Sequence, residues 1–332
     1  MKKGQKLPAH NTSISFIKEN WQGNPLNELG QYINLDGPSE KSFAELLKWQ
    51  RERNPLKPLK KKQQSNVEVV NNKSITKNRD NGIVWLGHAS FLFTIAGKHF
   101  ITDPVLYNVS VIKRFTPLPC STEDLKHIDF ILLSHNHRDH CDKKSMQQLC
   151  VLNPKAIILT GLEIGKLLRN WKITNPIIEA GWYQTYPIDA DVSITYLPAK
   201  HWNRRGLHDM NEMLWGSFML HSKDATIYFG ADSGLGMHFE ETAQLFPNID
   251  YALIGIGAYK PEWFMSTAHT SPADALIAFE QLKAKELIPV HHGTFDLSDE
   301  PIFYPKQEIM ALSEEQSING VLHLNIGEKH FI

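Results

Sequence analysis

From Asn81 onward the chain alternates short, strongly apolar runs with polar turns. Gly82-Ile83-Val84-Trp85-Leu86, Ser90-Phe91-Leu92-Phe93-Thr94-Ile95 and His99-Phe100-Ile101-Thr102 are rich in β-branched and aromatic residues, and Gly97 marks a turn between the last two. Runs of that length and composition predict strands. The same texture recurs at 128–133, 156–159, 192–196, 213–220, 225–229, 251–254, 287–290 and 321–324. Helical periodicity lies between them, near 163–170, 272–284 and 306–316. The second helix has an explicit start, with Ser271 as N-cap, Pro272 in the first position and Asp274 in the third. Strands with interspersed helices and no linker after residue 82 predict one α/β domain over 81–332.

The first 80 residues lack this texture. They are polar and rich in Asn and Lys, with one helix expected at 42–49 before Pro55 and Pro58 break the pattern. An arm wrapping the core, pinned by Trp21, Leu26 and Tyr32, is the expected arrangement. The run Lys57-Pro58-Leu59-Lys60-Lys61-Lys62 reads as a solvated loop.

Composition narrows the classes. At 42% hydrophobic and 21% charged the chain is an ordinary globular protein, and a net charge of −1 argues against a stable nucleic-acid partner. The charge is uneven: residues 1–82 carry 15 Lys and Arg against 8 Asp and Glu, leaving 20 against 28 for the rest. Cys120, Cys141 and Cys150 show no paired spacing, which excludes a disulfide framework or zinc knuckle and fits a reducing compartment. No apolar segment follows the basic start Met1 to Pro8, and no run approaches the roughly 18 to 20 residues that span a bilayer. The expected location is cytoplasmic.

The chemistry concentrates at Ser134-His135-Asn136-His137-Arg138-Asp139-His140, directly after an apolar strand-like run. His135 and His137, two apart in an extended loop, point to one side and can hold a cation. Asp139 and His140 follow at a turn and can face a second. A catalytic zinc wants about three protein ligands and an open position, so further ligands are required. His201, Asp232 and His291 each follow an apolar run and can supply them.

These residues carry a specific resemblance. His135 to His140 matches the His-x-His-x-Asp-His signature, and the chain resembles the metallo-β-lactamase-fold hydrolases. Within them it is similar to the N-acyl-phosphatidylethanolamine-hydrolysing phospholipase D group through Trp85-Leu86-Gly87-His88-Ala89-Ser90, Thr102-Asp103-Pro104, His201-Trp202, Leu214-Trp215-Gly216-Ser217, Ile256-Gly257-Ala258-Tyr259, Trp263-Phe264-Met265 and His291-His292-Gly293-Thr294-Phe295. The resemblance covers roughly residues 80–300. It implies a four-layer αββα sandwich with two zinc ions at one edge; iron or manganese also suits the donor set. His135, His137 and His201 would bind the first ion and Asp139, His140 and His291 the second, with Asp232 bridging. His291 is favoured over His292 because Gly293-Thr294-Phe295 sets the register.

Two close divalent ions lower the pKa of a bridging water and stabilise charge on a phosphoryl oxygen. Asp139 would orient that water, and His269 would assist the leaving group or hold a phosphate. The resemblance thus implies phosphodiester cleavage of N-acyl-phosphatidylethanolamine or a similar phospholipid. Trp202, Tyr259, Trp263, Phe264 and Met265 read either as an acyl-chain groove or as core. His88 is either a partner behind the metal ligands or a satisfied buried histidine, and Asp103 either orients a ligand histidine or caps a turn. A lactonase for a phosphorylated sugar, a nuclease, and a non-catalytic metal- or lipid-binding protein are the alternatives. Peripheral membrane contact through the basic arm is expected, and family precedent hints at a homodimer.

Overall fold

The computed structural model describes residues 7–188 and 191–332. The first six residues of the N-terminal stretch considered above lie outside them. In chain order the elements are α1 (Phe43–Arg51), α2 (Lys57–Lys60), β1 (Gly82–Gly87), β2 (Ser90–Ile95), β3 (Lys98–Thr102), β4 (Phe130–Leu133), α3 (Lys143–Leu152), β5 (Ile157–Gly161), α4 (Ile164–Asn170), β6 (Ile177–Ala180), β7 (Gln184–Thr185) and β8 (Val192–Leu197). They continue with β9 (Ser217–Ser222), β10 (Thr226–Phe229), α5 (His238–Leu245), β11 (Tyr251–Gly255), α6 (Glu262–Met265), α7 (Pro272–Leu282), β12 (Glu286–Val290), α8 (Tyr304–Glu315) and β13 (Lys329–Phe331).

Two sheets result, a seven-stranded one in the order β13-β1-β2-β3-β4-β5-β6 and a six-stranded one in the order β12-β11-β10-β9-β8-β7. Every residue of β1, β2 and β4 is buried, because each strand has an apolar layer on both faces. Ile83, Trp85, Phe91, Phe93 and Leu132 point between the sheets. Their neighbours Val84, Leu86, Leu92, Ile131 and Leu133 pack with Met146 and Leu149 of α3 and Ile164 and Leu168 of α4. On the other side Ala275, Leu276, Phe279 and Leu282 of α7 and Ile309 of α8 belong to the same apolar cluster as the strands of the second sheet. This is the αββα sandwich that the resemblance implies.

The expected start of α7 is present: the amide of Asp274 donates to Ser271 Oγ at 3.1 Å, and that of Ser271 donates to Asp274 Oδ2 at 3.0 Å. Three strand and loop expectations change. Over 213–216 the backbone bonds to loops, Leu214 N to Leu162 O and Gly216 N to Ser134 O, so pairing begins only at Ser217. Over 321–324 only Val321 bridges Leu287 at the sheet edge, and the strand that closes the other sheet is β13, paired with β1. The lysine-rich run is not a loop but the short helix α2, held where Lys60 Nζ meets Asp296 at 2.6 Å.

Residues 7–80 lie across the sandwich. Phe16 bridges Gln184, Trp21 meets Tyr183 edge-on at 4.8 Å, and Asn34 exchanges hydrogen bonds with the backbone of His201. No helix among the described residues is long and apolar enough to cross a membrane.

Candidate metal centre

The ligand-type residues sit where strands end. β4 stops at Leu133, just before Ser134, and β12 stops at Val290, directly before His291. β8 and β10 run into the loops bearing His201 and Asp232. The chain must turn sharply there, and it does so with left-handed backbone at His88 (φ 55°), Asp103 (φ 34°), Ala231 (φ 51°) and His291 (φ 62°). Non-glycine residues rarely adopt such angles, and the surrounding packing holds them. Gly257 leaves room for one of these turns, since a Cβ there would run into the His291 carbonyl oxygen. Gly257→Ala is therefore expected to push His291 out of place, destabilising the fold by about 1 to 3 kcal/mol and lowering metal content; calorimetric melting and metal analysis of the same sample read both effects.

Two groups of donors converge. His135 Nε2 and His201 Nε2 stand 3.0 and 3.1 Å from His137 Nδ1, and Asp232 Oδ2 lies 3.8 Å from both Nε2 atoms. In the second group, Asp139 Oδ2 lies 3.5 Å from His140 Nε2 and from His291 Nε2, and 3.1 Å from His88 Nε2. Asp232 joins both, with Oδ2 at 3.1 Å from His140 Nε2 and Oδ1 at 3.1 Å from His291 Nε2. The donor atoms of His135, His137, His201 and Asp232 lie within 4.8 Å of one another, as do those of His88, Asp139, His140 and His291, close enough in each case to share a cation. His291, not His292, belongs to the centre; His292 packs against Trp85 at 5.0 Å.

Outer hydrogen bonds fix which nitrogen faces inward. His140 Nδ1 donates to Asp103 Oδ2 at 2.8 Å and His201 Nδ1 to Ala268 O at 2.9 Å. His135 Nδ1 meets Ser134 Oγ at 2.9 Å, and that hydroxyl donates to Asp103 at 2.5 Å. Asp103 thus contacts histidines on both sides of the cluster, His140 directly and His135 through Ser134. His88 Nε2 faces the Asp139 carboxylate at 3.1 Å.

The donors fit metal ions. His140 Nε2, His291 Nε2 and Asp232 Oδ1 are buried without a well-formed hydrogen bond, an arrangement that a folded protein avoids unless something else satisfies the atoms. Burial drives His135, His137 and His201 toward the neutral imidazole a metal requires, His137 to about 4. At His140 and His291 burial also opposes charge, yet Asp232 and Asp139 outweigh it, lifting His140 well above its ordinary value and His291 to about 9. Burial would raise Asp139 and Asp232, but the adjacent histidines, His140 foremost, hold both well below the usual carboxylate range.

Above the donors opens a cavity of about 420 Å³. His137, Asp139, Asp232, His269 and His291 form its base, Lys41, Arg138 and Arg204 add positive charge, and Trp202, Phe264 and Met265 supply apolar wall. His269 sits with Nδ1 3.8 Å from Asp232 Oδ2, and burial lowers it to about 4. Of the aromatics read either as groove or as core, Tyr259 and Trp263 do not line the cavity. Tyr259 is buried with its hydroxyl on Glu308, and Trp263 turns outward, its indole donating to Glu52 Oε2 at 3.0 Å. The reason is local: within the single turn of α6, Phe264 and Met265 take the inward positions. Arg205 donates to the carbonyls of Asn136 and Cys141 at 2.7 and 2.8 Å and so braces the loop that bears His135 to His140. Sequence reasoning missed Lys41, Phe43, Leu46 and Trp49, which come from the arm and also line the cavity. The Ser42 and Glu45 capping pair marks their helix, but nothing local says what it faces.

Comparison with known proteins agrees with this geometry. Residues 98–292 match the family model described as a beta-lactamase superfamily domain. The N-acyl-phosphatidylethanolamine-hydrolyzing phospholipase D 1 of Caenorhabditis elegans is 30% identical over 74% of this chain and 74% of its own length. The mitochondrial enzyme of the same name from Saccharomyces cerevisiae is 29% identical over 69% of this chain, which spans only 51% of it. Among solved structures, the isothiocyanate hydrolase from Delia radicum gut bacteria superposes with a TM-score of 0.62 at 18% identity, covering 76% of this chain and 98% of that one. With this fold, these donor groups and these relatives, the chain belongs to the metallo-β-lactamase-fold hydrolases, is similar to their N-acyl-phosphatidylethanolamine-hydrolysing phospholipase D members, and is a metal-dependent hydrolase.

Proposed function

We propose that the protein is a phosphodiesterase of the phospholipase D type, acting on N-acyl-phosphatidylethanolamine or a similar phospholipid. The carrying observation is the cavity, which combines the two donor groups at its base with three cationic side chains and an apolar wall. That combination suits an anionic phosphodiester joined to an apolar chain. Similarity to two enzymes named for this substrate supports the reading.

His135, His137, His201 and Asp232 would hold one ion and Asp139, His140, His291 and Asp232 another. Two bound divalent cations, zinc or alternatively iron or manganese, would supply an activated water and a counter-charge for the phosphoryl oxygens. Asp139, whose Oδ2 accepts a hydrogen bond from His88 Nε2, would help hold an ion and orient the water it supplies. His269, neutral near pH 7, can donate one hydrogen bond to the phosphoryl group or the departing oxygen. Arg138, Arg204 and Lys41 would bind the remaining phosphate charge.

A sugar-phosphate lactonase would call for a small polar pocket using Lys200, Arg204 and Arg205. Lys200 is 3.7 Å from Asp36 and does not line the cavity, and Arg205 braces the ligand loop, so that pocket is not assembled. Contact with a bilayer surface would come from the basic arm, where Phe43 stands 73% exposed beside Lys41. Chelation is expected to abolish turnover of N-acyl phospholipids, with zinc restoring it, and His135→Ala to abolish it irreversibly. Full activity in that variant would overturn the mechanism, and tight lipid binding without turnover would favour the non-catalytic alternative.

A further inference from the structure

One wall of the cavity comes from outside the sandwich. Phe43, Leu46 and Trp49 recur every three residues along α1, so they share one side of that helix, and all three line the cavity above the metal centre. No residue of α1 is buried, so its apolar side is not part of any core. The helix is instead fastened at its C-terminal half. Trp49 stacks on Phe264 at 4.9 Å, Lys48 Nζ sits 4.2 Å above the Trp263 ring, and the Trp263 indole donates to Glu52. At the other end Ser42 and Glu45 close a reciprocal cap, with Ser42 N to Glu45 Oε2 at 2.8 Å and Glu45 N to Ser42 Oγ at 3.2 Å. A helix that buries nothing of its own yet is capped, stacked and clamped over a cavity holds its apolar side in place for something that enters the cavity.

Building on the phosphodiesterase reading, we propose that α1 selects the substrate's apolar chain, with Phe43 and Leu46 forming the surface against which the chain segment nearest the phosphate packs and Trp49 anchoring that surface. The occupant is identified by continuity and charge. The apolar side of α1 faces the same space as Asp139, Asp232 and His291, and Lys41, two residues before Phe43, stands beside it to meet the anionic phosphate. Phe264, on which Trp49 stacks, and Met265 extend this surface, so a chain leaving the phosphate lies against a continuous apolar wall. Each methylene removed from water there should raise kcat/KM by about fourfold until the wall ends. Specificity for the chain then resides in the N-terminal arm, separate from the metal-binding loops.

The experiment uses the full-length, metal-loaded protein and p-nitrophenyl alkyl phosphates from methyl to octyl, all kept below their micelle concentrations. The readout is the ratio of kcat/KM for octyl to that for methyl. Phe43→Ser and Leu46→Ser, alone and together, are compared with Trp49→Ala, which loosens the whole helix, and circular dichroism checks that each variant is folded. In parallel, calorimetric titration with the corresponding alkyl phosphonates reports chain-length dependence of binding without turnover. The double variant is expected to lower the octyl-to-methyl ratio at least about tenfold, and to flatten the phosphonate series in the same way. An unchanged ratio, or equal losses on methyl and octyl substrates, would overturn the proposal. So would a defect confined to vesicle substrates, which would make α1 a membrane anchor. Failure of the unmodified protein to hydrolyse any of these diesters would count against the phosphodiesterase reading, while the phosphonate series would still decide the role of α1.

Discussion

Asp232→Asn is expected to leave the sandwich folded and to remove the hydrolytic activity. Asp232 reaches into both donor groups, with Oδ2 3.1 Å from His140 Nε2 and 3.8 Å from His135 and His201, and Oδ1 3.1 Å from His291. Asparagine keeps the shape and hydrogen-bonding size but removes the negative charge that would hold two cations close together. Loss of a partner that merely orients a ligand already costs about 10- to 100-fold in metal affinity or activity. Loss of the shared carboxylate should therefore exceed about a hundredfold in metal affinity and about a thousandfold in kcat/KM. Metal content after dialysis, steady-state kinetics and circular dichroism on one preparation test this. Retention of the full metal complement would remove Asp232 from its bridging role.

Metal uptake is expected to release protons and to tighten as pH rises toward about 9. Without a cation, Asp139 and Asp232 keep His140 and His291 protonated, His291 up to about 9. A metal binds only the neutral imidazole, so each of these histidines must lose its proton first. The sign follows from that displacement. Below the metal-free pKa, each unit decrease in pH weakens binding about tenfold for every proton displaced; above it, that penalty vanishes. His135, His137 and His201 add nothing to this dependence near neutral pH, because burial already holds them neutral. Zinc titrations in buffers of different ionisation enthalpy should report about one to two protons released at pH 7. Release of none would show that the second donor group is not occupied as described.

Much of the centre was legible because metal ligation leaves local marks. A buried strand followed by His135 to His140, and single His or Asp residues just past other apolar runs, reflect donors presented at strand ends. The assigned ligands do converge in the structure, and His291 was distinguishable from His292 through the motif that follows. The strands of the first sheet were legible for a related reason: burial on both faces turns each into an uninterrupted apolar run. Where burial is partial the pattern fades, as at 321–324, where only an isolated bridge forms, and at β13, whose residues are not buried. Helix α3 escaped notice although Asp142 caps it directly after the ligand loop, because its apolar positions are few.

The amino-acid sequence by itself determined the strand-rich α/β texture through periodicity and the His135 to His140 cluster through spacing, while the sandwich, the wider donor set and the class of chemistry came through the resemblance that those residues carry. Tertiary structure alone decided what faces the cavity. It turned Tyr259 and Trp263 away, set Arg205 to bracing the ligand loop, linked Asp103 to two histidines, and brought α1 from the arm over the metal centre. The physical reason is range. Strand formation and ligand spacing are set by neighbours along the chain, whereas the direction of an amphipathic side chain is set by whichever distant surface leaves the least apolar area in water.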